Sequence, residues 1–165
     1  MVQETSGANT FTMTSSSDRE IVMTRVFDAP RELVFEAHSK PEHVSKWWGP
    51  RGTSLWRCDM DFRPGGAWRY VVQGADGTEN PFKGVFREIL PPEKIVWTFI
   101  YDVEPYTAYE IIETMSFTEH EGKTTLTTRS VFPSVEIRDG MIASGMEQGS
   151  REAMDRLEEH LRTMA

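Results

Sequence analysis

The chain has 165 residues with 18 Lys and Arg against 26 Asp and Glu, a formal net charge of -8 that excludes a phosphate-backbone binder, since that role needs clustered basic charge. Its single cysteine, Cys58, excludes an intramolecular disulfide and any multi-cysteine zinc site, and fits a reducing compartment. No apolar run reaches the roughly 20 residues of a membrane-spanning helix and the N-terminus lacks the apolar core of a leader peptide, so the expectation is one cytoplasmic domain with neither membrane nor nucleic acid as partner.

Residues 1–17 are rich in Ser, Thr and Gly without hydrophobic periodicity and read as a flexible tail, leaving a domain over 18–165. The β-branched run Arg19–Phe27 is a first strand. Asp28-Ala-Pro30 opens a helix to about His38, with Leu33, Val34 and Ala37 inward, because proline is tolerated where its missing N–H would be unpaired anyway. Ser39-Lys-Pro-Glu42 has capping-box spacing and starts a second short helix that carries Val44 and ends at Trp47-Trp48-Gly49-Pro50. From there to Phe132 the apolar period becomes two. Trp56, Cys58, Met60 and Phe62 share one face, with Arg57, Asp59 and Asp61 opposite; Trp68, Tyr70 and Val72 follow after the Pro64-Gly65-Gly66 turn. Asp76-Gly77 is a hairpin signal into a strand from about Phe82 to Leu90. Pro91-Pro92-Glu93-Lys94 turns into Ile95, Trp97, Phe99 and Tyr101 in phase. Tyr109, Ile111, Glu113, Met115 and Phe117 alternate next, and His120-Glu121-Gly122 turns back into Thr124–Val131.

The chain ends in an amphipathic helix. Met146, Ser150, Ala153, Met154, Leu157, Leu161 and Met164 recur at steps of three and four, which stacks them on one face. Glu147/Arg151, Glu152/Arg156 and Glu158/Arg162 are spaced as ion pairs on the opposite face. Strand, two short helices, a meander and a long last helix make an α+β fold in which a twisted antiparallel sheet of about six to seven strands is covered by the terminal helix. A cone fold is the competing arrangement, but its long helices stand at the N-terminus.

Arg19-Glu-Ile-Val, Phe27-Asp-Ala-Pro-Arg-Glu-Leu-Val-Phe35, Pro41-Glu42, Lys46-Trp-Trp-Gly-Pro50, Phe62-Arg-Pro-Gly-Gly-Ala-Trp-Arg69, Gly84-Val-Phe-Arg-Glu-Ile-Leu-Pro-Pro-Glu-Lys94 and Thr124-Thr-Leu-Thr127 resemble a defined set of bacterial proteins. These are homologues of the C-terminal domain of the activator of heat-shock protein 90 ATPase, in the START-like (SRPBCC) superfamily. The likeness spans about Arg19 to Leu161. It implies a helix-grip fold, a curved sheet gripping the last helix, with a cavity between them that often takes a hydrophobic ligand. Two departures stand out. Only the unpatterned residues 1–17 precede the domain, where the eukaryotic activator has a separate domain that contacts the chaperone, and Met146 occupies a segment where many relatives place a tryptophan.

Catalytic patterns are weak. His38, His43, His120 and His160 lack metal-ligand spacing and read as solvated or packed, so neither a metal nor a cofactor is expected; Cys58, on the presumed core face, reads as a structural thiol. Glu113 is the one charge in an apolar phase. Facing a cavity, it would need a ligand, water or a base such as Arg69 as partner; alternatively a bulge turns it to solvent. With the aromatic residues it defines an expected ligand-binding set: Trp48, Trp56, Met60, Trp68, Tyr70, Trp97, Phe99, Tyr101, Ile111, Glu113, Met115 and Met146. Among the methionines, Met60, Met115, Met146 and Met154 supply adaptable core packing. The expected function is binding of a hydrophobic or aromatic small molecule, without catalysis. Its rivals are a stress-linked co-chaperone of a heat-shock protein 90 homologue, and a cyclase-like or hydrolytic enzyme using Glu113; a homodimer is an admissible assembly.

Overall fold

The computed structural model describes residues 10–164. The elements run β1 (Phe11–Ser17), β2 (Glu20–Phe27), α1 (Arg31–Ser39), α2 (Pro41–Val44), β3 (Thr53–Met60), β4 (Ala67–Gly74), β5 (Glu79–Leu90), β6 (Lys94–Tyr101), β7 (Ile111–His120), β8 (Lys123–Val131), α3 (Val135–Ala143) and α4 (Met146–Met164). All strands join one antiparallel sheet in the order β1-β2-β8-β7-β6-β5-β4-β3. Between β4 and β8 each strand pairs with its neighbours in sequence, because short turns can only return a strand antiparallel to itself. Strand β2 closes onto the last strand β8, from Glu20↔Val131 to Phe27↔Thr124. The sheet curves around α4, whose face Ala153, Leu157, Glu158 and Leu161 is buried.

The aromatic face of β4 to β6 packs as its alternation requires. Trp68 and Trp97 stack with centroids 4.1 Å apart, and Trp68 Nε1 donates to Thr98 O at 3.1 Å. That contact explains Gly84 in β5, between them: a Cβ there would lie 1.8 Å from Thr98 O and 2.6 Å from Trp68 Nε1. Phe27, Val34, Phe35, Trp47, Phe117 and Leu157 extend the same core beneath α1 and the second half of α4. A smaller cluster of Ile21, Ile111 and Phe132 lies apart, with Met13, Met23, Ile137, Met141 and Met146 partly buried around it.

Several expectations are corrected. The tail expected over 1–17 is, from Phe11 onward, an edge strand paired with β2 from Phe11↔Arg25 to Ser17↔Glu20; residues 1–9 lie outside the described residues. A hydrogen-bond ladder joins it to the sheet, Phe11 is buried and Met13 packs against the smaller cluster, but its Thr and Ser content hides that short apolar alternation. Trp56 is 55% exposed: a bulge between Leu55 and Arg57 shifts the register against β4, so Leu55 points inward before it and Cys58 and Met60 after it. The Ser39 box does not cap α2. Ser39 Oγ donates back to Glu36 O at 2.9 Å, and α2 starts at Pro41 from the extended residue Lys40 with no side-chain cap. Helix α3 was not expected at all. Ser134 caps it, accepting from Ile137 N at 3.2 Å, but none of its residues is buried, so it carries little periodicity. Of the three ion pairs on α4, Arg151–Glu147 forms at 3.4 Å. Arg156 instead donates to Gly49 O and Pro50 O at 2.9 and 3.1 Å, Glu152 accepts from Gln148 at 2.8 Å, and Glu158 is buried beside β2.

Candidate functional site

Cross-strand register builds the floor of the site. Ile21, Ser130, Glu113, Trp97 and Phe86 stand directly opposite one another on β2, β8, β7, β6 and β5, so their side chains share the concave face. Glu113 therefore faces inward. Its Oε1 accepts from Trp97 Nε1 and its Oε2 from Ser130 Oγ, both at 2.8 Å. Burial pushes its pKa above the usual carboxylate value, and these two donors pull against that shift without cancelling it. Arg69, the base expected to pair with it, is on the opposite face of the sheet and binds Asp102 at 2.9 Å.

Above this floor is a cavity of about 440 Å³. Trp97, Phe99, Phe82 and Tyr70 form its aromatic side with Trp48, whose ring meets Tyr70 at 5.1 Å and Phe82 at 5.3 Å in edge-on geometry. Trp48 reaches the cavity because Trp47 beside it is anchored, its Nε1 donating to Ala37 O at 3.1 Å. Gly49 then turns the chain at φ 107, a conformation in which side chains are strained, and Arg156 of α4 holds the Gly49 and Pro50 carbonyls. The roof is the first half of α4 and its approach: Met141, Gly145, Met146, Gly149, Ser150 and Met154. Neither Gly145 nor Gly149 would bring a Cβ within 4 Å of another group, so the roof is thin at both positions.

Two basic side chains also line the cavity. Arg25 is 2% exposed, bonds Asp155 Oδ1 at 2.7 Å and lies 4.0 Å from Glu158 Oε1, an oxygen buried without a hydrogen-bond partner among the described residues. His38 bonds Val34 O through Nδ1 at 2.8 Å and packs edge-on against Trp47 and Phe117; burial lowers its pKa to about 4, so the ring is neutral at ordinary pH. Among the described residues no group of three His, Cys, Asp or Glu side chains is placed to hold a metal ion. No described helix is long and apolar enough to cross a membrane. Burial, chiefly, pushes the Cys58 thiol up to about 12, which leaves little thiolate for nucleophilic chemistry.

Of the residues expected at the site, Trp48, Tyr70, Trp97, Phe99, Glu113, Met115 and Met146 line this cavity. Trp68 stands behind Trp97, with Met60 opposite Trp68 in register. Ile111 belongs to the smaller cluster. Tyr101 stands outside the lining and donates to the lining residue Asn80, at its Oδ1, over 2.7 Å, and Trp56 is on the surface. Sequence reasoning missed Arg25, Asn80, Phe82, Phe86 and Met141 among the lining groups. The signal for Arg25 was present: it alternates with Ile21, Met23 and Phe27 on β2, a charge in an apolar phase like Glu113. Glu158 shows the same sign on α4, falling in step with Met154 and Leu161.

Residues 28–162 match the family model described as activator of Hsp90 ATPase homolog 1-like protein. No curated protein matches the chain. Among solved structures, a protein from Rhodobacter sphaeroides superposes with a TM-score of 0.85 at 24% identity, covering 94% of this chain and 99% of that one. A Nitrosomonas europaea protein gives 0.80 at 23% identity over 90% and 97% of the two chains. The AHSA1 protein from Silicibacter pomeroyi gives 0.74 at 20% identity over 88% and 99%. At these identities the likeness carries the fold.

Proposed function

The chain belongs to the family of activator of Hsp90 ATPase homolog 1-like proteins, START-like domains in which a curved sheet holds a C-terminal helix, and from that premise we propose that it binds a small hydrophobic or aromatic molecule between sheet and helix. The observation that carries this reading is the cavity of about 440 Å³, a volume typical of small-molecule pockets, with aromatic walls and one carboxyl on its floor. Its roof of Met141, Met146 and Met154 suits an occupant of variable shape, since unbranched thioether side chains refill space readily. Large apolar faces supply affinity and a few fixed polar groups supply orientation.

Titration with the neutral fluorophore N-phenyl-1-naphthylamine tests it, together with native mass spectrometry of the purified protein for a retained ligand. The expected result is saturable binding with a rise in Tm. Met146→Trp, which places an indole under the roof, is expected to weaken binding by about tenfold or more while changing stability little. If the fluorophore does not bind, or if Met146→Trp leaves its affinity unchanged, α4 is only a cover for the sheet.

A further inference from the structure

On the reading that the cavity takes a small molecule, its polar groups narrow the chemistry of the occupant. We infer that the site selects an apolar or aromatic body with a hydrogen-bond-donating head, a hydroxyl or an ammonium, seated on Glu113, and that it rejects carboxylates and phosphates.

The carboxyl is already oriented. Trp97 Nε1 occupies one oxygen and Ser130 Oγ the other, at 2.8 Å each, and neither strand can move far because both residues stand opposite Glu113 in the sheet register. A carboxylate has about four lone-pair sites on its two oxygens, so two stay open after these bonds. Glu113 lines the cavity, and a ligand donor can therefore complete its coordination. A donor from the ligand also offsets the lost hydration that burial imposes on this group. Beside it, the rings of Phe99 and of Trp97, the latter stacked on Trp68, line the cavity, and an ammonium there would gain cation–π attraction.

The same geometry works against an anion. Among the described residues the charged side chains lining the cavity are Glu113 and Arg25. Arg25 is engaged by Asp155 at 2.7 Å and has Glu158 at 4.0 Å, so an anionic head reaching it would displace one carboxylate and approach another. The formal charge of -8 adds a long-range field of the same sign.

Four naphthalenes with one carbon frame and different heads separate the possibilities: 2-naphthylmethanol, 2-naphthylmethylamine, 2-(methoxymethyl)naphthalene and 2-naphthoate, each used to displace N-phenyl-1-naphthylamine from the wild-type protein. The alcohol or the amine is expected to displace the fluorophore at concentrations at least about tenfold lower than the ether and the carboxylate. An alcohol in the lead assigns a hydroxyl ligand, and an amine in the lead assigns a cationic one. Glu113→Gln is expected to shrink the gap to about threefold or less; the wild-type series stands whether or not that variant folds. Equal displacement by all four, or a lead for the carboxylate or the ether, overturns the selectivity while the pocket remains. Failure of the fluorophore and all four naphthalenes to bind, checked by calorimetry, removes the pocket itself and this inference with it.

Discussion

The two halves of α4 are held by opposite means. In its second half Leu157 and Leu161 are buried in the main core, and Arg25, Arg51 and Arg156 tie Asp155, Glu159 and the Gly49 and Pro50 carbonyls to it. In its first half Met146, Gly149 and Ser150 are partly exposed and line the cavity, and no residue before Ala153 is buried. One helix thus serves as a staple at one end and as a roof at the other. The division follows from side-chain volume: a Leu fills the space between helix and sheet, whereas Gly and Ser leave it open and Met fills it loosely.

The largest expected effect comes from attacking the staple. Leu157→Ala should cost about 2–5 kcal/mol in urea unfolding, because its site is fully enclosed and cannot collapse around the lost atoms. Met146→Ala in the same assay should cost less than about 1 kcal/mol, as expected where a side chain is only partly buried. Equal costs would mean that the roof is packed as firmly as the staple, and the comparison would fail.

Next in size is pH, which should separate by sign the cavity edge that adjoins the packed core from the cavity floor. His38, at the cavity edge where it packs against Trp47 and Phe117, has a folded pKa of about 4 against an unfolded value of about 6.5. The unfolded chain binds that proton first, so stability is intact above pH 6.5 and is lost as pH falls towards about 4. The gap of about 2.5 pH units corresponds to about 3 kcal/mol. Glu113, on the cavity floor, is shifted the other way, so its contribution is present below the unfolded carboxylate value and is lost as pH rises through the raised folded value. Urea midpoints from pH 4 to pH 8 should therefore lose their acid slope in His38→Gln and their gain towards acid in Glu113→Gln. An acid slope unchanged in His38→Gln would place the titrating group elsewhere.

The packed region was also the more legible in sequence. Trp68, Tyr70 and Val72 alternate cleanly because β4 has one face on the core, and the stripe Ala153, Leu157 and Leu161 keeps helical period because all three are buried, the two leucines in that core. Half of the site was readable in the same way, since Trp97, Phe99, Glu113 and Met115 take their places from strand phase alone. Trp56 was misplaced because a bulge at Leu55/Arg57 resets that phase, and nothing in its own side chain announces the extra residue. Arg25 and Glu158 were passed over because each looks like a surface charge until strand and helix are brought together; their pairing is tertiary, about 130 residues apart in the chain. The Ser- and Thr-rich β1 and the shallow α3 bury too little to leave a pattern.

The smallest predicted effect divides the helix most cleanly. Gly149 is in the first turns of α4, lines the cavity, and has ordinary helical backbone with no group within 4 Å of a Cβ added to it. In a helix Ala is favoured over Gly by about 0.8–1 kcal/mol, chiefly because the unfolded chain loses less freedom. Gly149→Ala should therefore raise stability by about 0.5–1 kcal/mol while its new methyl group occupies the edge of the cavity and weakens fluorophore binding. At Ala153, one turn on, the side chain is buried and also lines the cavity, so the change has the opposite balance: Ala153→Gly should lower stability by about 1 kcal/mol and, because it removes a methyl group instead of adding one, leave binding closer to wild type. Paired urea and fluorescence titrations of the two variants give the check, and parallel changes in both quantities would show that staple and roof are a single packed unit.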